Sequence, residues 1–322
     1  MRTAASLAIG LALFGLGMAA GAFDLQGHRG ARGLAPENTL AAFERALAIG
    51  VTTLEMDAAI TADGVVIVTH DPVPNPAITR DAQGRWIAGS GTPIKSMTLE
   101  QVQAYDVGRI DPASAYARQF PDQVARDGER MPTLAAVFAK VKALGADSVR
   151  FDIETKIDPT RPDETLGPDA FVRALLAAIA EAGMTERVMI QSFDWRTLKL
   201  VQQLAPGVPT VYLTARGRRF DTLADGTWTD GMLLKDYPSV ARMVKAAGGT
   251  IWSPNHQGID ARDVKNAQAL GLQVIPWTVN DVADANRLIE WGVDGLISDR
   301  PDHMREVMQR HGIPLPAPVP AR

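Results

Sequence analysis

Two periodicities alternate along this chain. Short runs rich in Val, Ile, Leu and Phe read as strands. Between them, apolar residues recur at the three- and four-residue spacing of one helix face. "DLQGHRG" (24–30) is the first strand-like run. Residues 38–49 place Leu40, Phe43 and Leu47 on one helical face, and Gly50 can end that helix. "TTLEMDAAI" (52–60) is the next strand, and Asp63-Gly64 predicts a turn into a hairpin partner, "GVVIVTH" (64–70). Beyond residue 130 the rhythm is regular. Helices are predicted at 133–144, 169–183, 195–204, 238–248, 261–271, 282–292 and 301–312, and strands at 148–155, 187–193, 209–214, 250–255, 272–280 and 295–299.

About eight strand–helix units in succession predict an α/β fold, a parallel sheet closed into a (β/α)8 TIM-type barrel. An open doubly wound sheet is the competing architecture. Residues 71 to about 130 interrupt the rhythm with prolines, glycines and charges, and "TPIKSMTLEQVQAYDVG" (92–108) supports a short helix at most. A structureless loop of that length is unusual inside a domain, so the segment reads as a small inserted structure after the second barrel strand region. The proline-rich end, "IPLPAPVPAR" (313–322), reads as a flexible tail.

The first 22 residues stand apart. Arg2, the apolar run "LAIGLALFGLGM" (7–18) and Ala20-Gly21-Ala22 form the three parts of a secretory signal peptide. The run is short for a membrane span and carries glycines. A retained N-terminal anchor is the competing reading. The expected mature domain, residues 23–312, is then periplasmic or secreted, with no stable membrane insertion after signal removal. With 322 residues and 46% hydrophobic content, the chain can bury a large core. Its 33 basic and 37 acidic residues form no basic stripe, which argues against a nucleic-acid partner. The absence of cysteine excludes disulfides, thiolate metal sites and a cysteine nucleophile. The pattern carries no statement about oligomeric state.

The candidate chemistry lies on the strands. Side chains alternate across a strand, so Glu55 and Asp57 share one face of "TTLEMDAAI" while Leu54 and Met56 share the other. If the apolar face meets the helices, two acids point into a water-poor interior, where they repel each other unless a positive group joins them. A hard divalent cation suits carboxylate oxygens; salt bridges to inward basic residues are the bland alternative. "SVRFDIETK" (148–156) repeats the arrangement with Asp152, Glu154 and Lys156 on one parity. Glu154 is a candidate third ligand and Lys156 a candidate charge for an anionic substrate, against the plainer reading of an internal Glu–Lys pair. His28 and His70 end their strands, at the end where such barrels carry active sites. Their ordinary pKa suits proton transfer near neutrality. His256 is a weaker candidate for the same mouth, and His303 and His311 read as surface residues. Gln191 and Ser192, at the end of another strand, are candidate contacts, Phe193 reads equally as core, and Asn38 is the expected cap of the first helix.

Four stretches together, "GHRGARGLAPENTLAAFERALAIGVTTLEMDAAITADGVVIVTHD" (27–71), "FDIETK" (151–156), "QSFD" (191–194) and "PWTVN" (276–280), resemble the glycerophosphodiester phosphodiesterase family. They span the whole of the expected mature domain. The resemblance implies a (β/α)8 barrel with one divalent ion, Ca2+ or Mg2+, and hydrolysis of small-molecule glycerophosphodiesters to sn-glycerol 3-phosphate and an alcohol. It implies Glu55, Asp57 and Glu154 as metal ligands and His28 and His70 as the acid/base pair. Arg29 and Lys156 match the phosphate-contacting cations, and Trp277 matches the aromatic residue bordering the glycerol end. Two other functions compete: a catalytically weak secreted barrel that only binds its ligand, and a phospholipase D-like activity on lysophospholipids, which requires an apolar groove near the mouth.

Overall fold

A computed structural model describes residues 22–320 apart from Ser90 and Arg219. The expected signal peptide, residues 1–22, lies outside the described residues except for Ala22. β1 (Asp24–Gly27) leads into α1 (Leu40–Ile49), and β2 (Thr53–Ile60) turns back at Asp63-Gly64 as β3 (Val66–Val68). A short α2 (Leu99–Gln103) precedes α3 (Leu134–Ala143). Strands and helices then alternate through β4 (Arg150–Thr155), α4 (Pro168–Glu181), β5 (Val188–Ser192), α5 (Trp195–Leu204), β6 (Thr210–Thr214) and α6 (Val240–Ala246). β7 (Ile251–Pro254), α7 (Ala261–Ala269), β8 (Gln273–Val274), α8 (Val282–Trp291), β9 (Gly295–Ser298) and α9 (Pro301–Arg310) complete the series.

The strand order is β8-β7-β6-β5-β4-β2-β1-β9, with every neighbouring pair parallel and only β3 antiparallel, on β2. Backbone bonds cross the remaining seam: Asp294 N donates to Val274 O at 2.9 Å and Ile297 N to Pro276 O at 3.0 Å. The described residues thus form a nearly closed barrel of parallel strands, which excludes the open doubly wound sheet. β8 is much shorter than the predicted 272–280, because Pro276 has no N–H to give to the ladder. The chain nevertheless keeps its place there: Ile275 N donates to Trp252 O and Trp277 N to Pro254 O, each at 3.0 Å.

Parity separates two cores. Leu54 and Met56 of β2 face outward into the layer that holds Phe43 and Leu47 of α1 and the crossed rings of Phe138 and Phe151. Each such side chain contributes about 1.5–3 kcal/mol on burial. Met189, Val211, Ile251, Ile275 and Ile297 form a separate inner cluster. Between β3 and α3, residues Ile94, Met97, Val102, Val107 and Met131 gather with Ala59 and Ile67 into a third small cluster. α2 there is fixed by a Thr98–Gln101 capping box. The proline-rich end runs over α1 and α9: Val319 N donates to Leu47 O at 2.8 Å, and Arg305 Nη1 to Pro316 O at 2.6 Å. No helix among the described residues is long and apolar enough to cross a membrane.

Candidate active site

Strand register assembles the acids. Asp57 of β2 lies opposite Glu154 of β4, and Glu154 lies opposite Gln191 of β5. One carboxylate oxygen from each of Glu55, Asp57 and Glu154 falls within 4.8 Å of the others. All three residues are buried. Gln191 Nε2 donates to Glu55 Oε1 at 2.6 Å, and the Arg29 backbone N–H donates to Glu55 Oε2 at 2.7 Å. Asn38 Nδ2 donates to Asp57 Oδ2 at 2.8 Å, and Lys156 Nζ to Glu154 Oε1 at 2.9 Å. Asp57 Oδ1 is buried with no hydrogen-bond partner.

Burial and the neighbouring Asp57 push the Glu55 carboxyl well above the usual carboxylate range. Burial likewise raises Glu154, to about 7, with Asp57 adding to the rise and Lys156 opposing it. Burial works against the Asp57 carboxylate too, but His70, Arg29, Lys156 and the Asn38 amide hold it well below its ordinary value. Three acids therefore share a dry site where protein cations neutralise only part of their charge, and one oxygen lacks a donor. Those residues fit a hard divalent cation, which takes carboxylate oxygens.

Both histidines face this cluster, and both rings are oriented by an acid. Carboxylates only accept, so the ring proton nearest each acid sits on Nδ1. His28 Nδ1 donates to Asp299 Oδ1 at 2.6 Å, leaving Nε2 on the side of Glu55 Oε2, 3.9 Å away. His70 Nδ1 donates to Asp71 Oδ1 at 2.8 Å, and its Nε2 accepts from Lys156 Nζ at 3.1 Å. Burial lowers His28 to about 4 despite Asp299, and burial with the charges of Arg29 and Lys156 lowers His70. An arriving anion opposes both shifts.

The loop from β1 to α1 carries two of the cleft's cations, Arg29 and Arg32, and Lys156 directly follows β4. Arg29 adopts the left-handed region at φ 50°, and its Nη1 donates to Glu37 Oε1 at 2.6 Å while its Nε lies 3.4 Å from Asp57 Oδ2. Asn38 is also left-handed, at φ 54°, and is not the cap of α1. Thr39 is the cap, accepting from Ala42 N at 3.2 Å. A side chain turned toward Asp57 cannot also serve the helix end. Gly30 lets the loop lie directly on α1, since a Cβ there would meet Ala42 C at 2.6 Å.

A cavity of about 220 Å3 opens over these groups, lined by His28, Arg29, Glu55, His70, Glu154, Lys156, Gln191 and Trp277 together with Arg32 and Phe193. Asp57 lies beneath it. Phe193 therefore borders the cleft, edge-on to Trp277 with 5.3 Å between ring centres. The Trp277 indole is fixed by donating to Ser253 O at 3.0 Å. Not every candidate arrives. Ser192 Oγ faces Thr155 O at 3.4 Å, and His256 is buried away from the cleft with Nδ1 3.7 Å from Asp284. His303 sits against Arg300 and His311 against Asn286.

Comparison with known proteins decides the family. Residues 28–303 match the glycerophosphoryl diester phosphodiesterase family, from His28 through every site residue named above. The chain belongs to that family. A Bacillus subtilis glycerophosphodiester phosphodiesterase is 29% identical over 284 residues, 87% of this chain and 84% of the relative. The Caldanaerobacter subterraneus enzyme of the same name is 30% identical over 285 residues, 88% and 97% of the two chains. A Silicibacter pomeroyi crystal structure assigned to the same class is 36% identical, with TM-score 0.81 over 91% of this chain and 95% of its own. An Oleispira antarctica phosphodiesterase in complex with its product, sn-glycerol 3-phosphate, shares the fold at 20% identity and TM-score 0.67, over 89% and 96%.

The residues that sequence reasoning passed over form the layer behind the family's site. Asp299 accepts from His28, from Arg32 Nε at 2.8 Å and Nη2 at 3.0 Å, and from Asn280 Nδ2 at 2.7 Å. Asp71 accepts from Asn75 Nδ2 at 2.9 Å as well as from His70. Asp299 had a legible signal: it directly follows β9, at the same end of the barrel as His28. Tyr116, whose hydroxyl donates to Glu37 Oε2 and accepts from Arg32 Nη1, had none, since it lies on the stretch with the least periodicity.

Proposed function

We propose that this chain hydrolyses glycerophosphodiesters to sn-glycerol 3-phosphate and an alcohol. One observation carries the reading: of three buried carboxylates within 4.8 Å of one another, Glu55 and Glu154 line a cleft shared with two acid-oriented histidines and the cations Arg29, Arg32 and Lys156. A phosphodiester is a poor electrophile because its negative oxygens repel a nucleophile. Glu55, Asp57 and Glu154 would hold a divalent cation, whose charge would stabilise the negative oxygens of the transition state. Arg29 and Lys156 bind the same anionic group, and Trp277 and Gln191 bound the substrate on the other side.

The histidines divide the proton work. One ring nitrogen takes the proton of the glycerol 2-hydroxyl as that oxygen bonds to phosphorus. The other ring, protonated on both nitrogens once the anionic substrate is bound, gives its Nε2 proton to the alcohol oxygen as the P–O bond breaks. Water then opens the cyclic phosphate with the roles reversed. Asp299 and Asp71 fix the tautomers that make Nε2 the working atom of each ring. The N-terminal signal directs the enzyme to the periplasm or the exterior, which N-terminal sequencing of the mature protein tests. The activity is tested by release of glycerol 3-phosphate from glycerophosphocholine with calcium or magnesium present. Loss with a chelator and return on adding metal is expected, and metal-loaded protein without turnover on any glycerophosphodiester would favour a barrel that only binds.

A second reading, cleavage of lysophospholipids, is favoured by the aromatic surface beside the mouth. Phe193 packs against Trp277 and Phe220, each at 5.3 Å, and Phe220 against Trp228 at 5.4 Å. Phe220 is 41% exposed, an apolar face suited to an acyl chain. A higher kcat/KM for lysophosphatidylcholine than for glycerophosphocholine is the outcome this second reading requires.

A further inference from the structure

The loop that carries His28 and Arg29 is held in a costly shape. Arg29 and Asn38 both sit in the left-handed backbone region without being glycine, and such residues stay there only when their surroundings hold them. Part of the hold comes from the barrel, through Glu55 and Asp57. Asp299, just after β9, adds bonds to His28, Arg32 and Gly33 N, and one further short stretch of chain completes the hold. Tyr116 OH donates to Glu37 Oε2 and accepts from Arg32 Nη1 at 3.1 Å. The Phe120 ring lies under the Arg32 guanidinium at 4.6 Å, and Tyr116 meets Phe120 edge-on at 5.0 Å. Gln123 Nε2 donates to Arg32 O at 2.7 Å, and Val124 N to Leu34 O at 3.0 Å.

We infer that residues 116–124 brace the β1–α1 loop, and that the Tyr116 hydroxyl is a positioning residue that aims Arg29 at the phosphate through Glu37. The geometry is a relay. Glu37 uses one oxygen for Tyr116 and the other for Arg29, so the carboxylate is pinned at both ends. Arg29 in turn has Glu37 and Asp57 on either side of its guanidinium. With the Tyr116 hydroxyl gone, Glu37 can turn, and Arg29 follows it. Arg32 also loses a contact, while its two bonds to Asp299 remain. The brace therefore acts first on the grip on phosphate: Tyr116 touches no metal ligand, and Arg29 meets them only through its backbone N–H on Glu55 and its Nε, 3.4 Å from Asp57.

This inference rests on reading the cleft as a phosphodiester site. Its test uses binding as well as turnover. Tyr116→Phe keeps the ring on Phe120 and removes only the hydroxyl. With metal present, calorimetric titration of sn-glycerol 3-phosphate is expected to show affinity lower by about tenfold, the scale of one hydrogen bond to a charged group. A similar fall in kcat/KM should accompany it, with calcium affinity changed less than glycerol 3-phosphate affinity. Glu37→Gln should give a comparable loss, and the double variant should lose little more than either single one, because both act on one relay. Glycerol 3-phosphate affinity within twofold of the parent in Tyr116→Phe overturns the inference, as does full additivity in the double variant. Parent protein that binds glycerol 3-phosphate without hydrolysing diesters refutes the activity alone, and the Tyr116 comparison still runs on binding. Parent protein that does not bind it overturns both.

Discussion

Asp299→Asn is the substitution that most directly tests how His28 works. The Asp299 carboxylate is 1% exposed and accepts four bonds: one from His28, two from Arg32 and one from Asn280. An amide of the same shape replaces one oxygen with a donor. At the Oδ1 position, the new NH2 faces His28 Nδ1 and Arg32 Nε. His28 must then accept at Nδ1 and carry its proton on Nε2, the wrong tautomer for a base facing the cleft. At the Oδ2 position, it faces Arg32 Nη2 and Asn280 Nδ2, two donors. Asn280 cannot flip freely, because its Oδ1 accepts from Asp299 N at 2.9 Å. Either way a charge-assisted bond worth about 1.5–3 kcal/mol disappears from the imidazolium that forms during proton transfer. That corresponds to a loss of about 10- to 150-fold in kcat, with tautomer loss adding to it. Asp299 also raises the pKa of His28 against burial, so the limb of the pH–rate profile that His28 sets should move to lower pH. The assay is steady-state kinetics on glycerophosphocholine, with calorimetry for metal and a melting curve for the fold. A folded, metal-binding variant with kcat within threefold of the parent would refute this account of His28.

Three further outcomes follow from the same geometry. Glu55→Gln or Glu154→Gln removes one of three anionic ligands and should weaken calcium or magnesium binding by at least about tenfold in calorimetry. His28→Ala should abolish turnover while the circular dichroism and melting transition persist; full activity would remove His28 from the acid/base pair. Metal binding should release protons, because Glu154 titrates at about 7 and Glu55 above its usual range. The folded Glu154 lies above its unfolded 4.5, so its contribution to metal-free stability is full below that pH and lost as pH rises through about 7. The rise in Tm on adding metal should therefore be larger near about pH 8 than near about pH 5.5, and the reverse order would refute the assignment.

The barrel was legible because its signal is local and repeated. A strand buried on both faces has no polar side to confuse the reading, and α5 came out at its predicted 195–204. The misreadings have local causes. At β8 the run "LQVIPWTVN" has the composition of a strand, but Pro276 takes one donor out of the ladder, so the regular pairing stops at Val274. At α1, Asn38 and Thr39 are both good caps by residue type. The choice between them depends on Asp57, nineteen residues on and on another element, which claims the Asn38 amide.

The site divides along the same line. Glu55, Asp57 and Glu154 were readable because their oddness shows within a single strand: acids on the inward parity of an apolar run. His28 and His70 gained meaning from standing at strand ends that a barrel brings to one mouth. Asp299 shared that signal of place, directly after β9, but Arg32 and Tyr116 have no local oddness, since a cation and a tyrosine in polar loops are what any solvated surface carries. Their role comes from closure of the barrel, which sets β9 beside β1, and from the stretch around Tyr116 folding back onto the β1–α1 loop. The consequence is energetic as well as informational. The reacting groups carry net positive and net negative patches that cannot be satisfied within their own strands, so their partners must come from distant parts of the chain. Substitutions in that outer layer should accordingly alter proton transfer and phosphate grip separately: Asp299 through His28, and Tyr116 through Arg29.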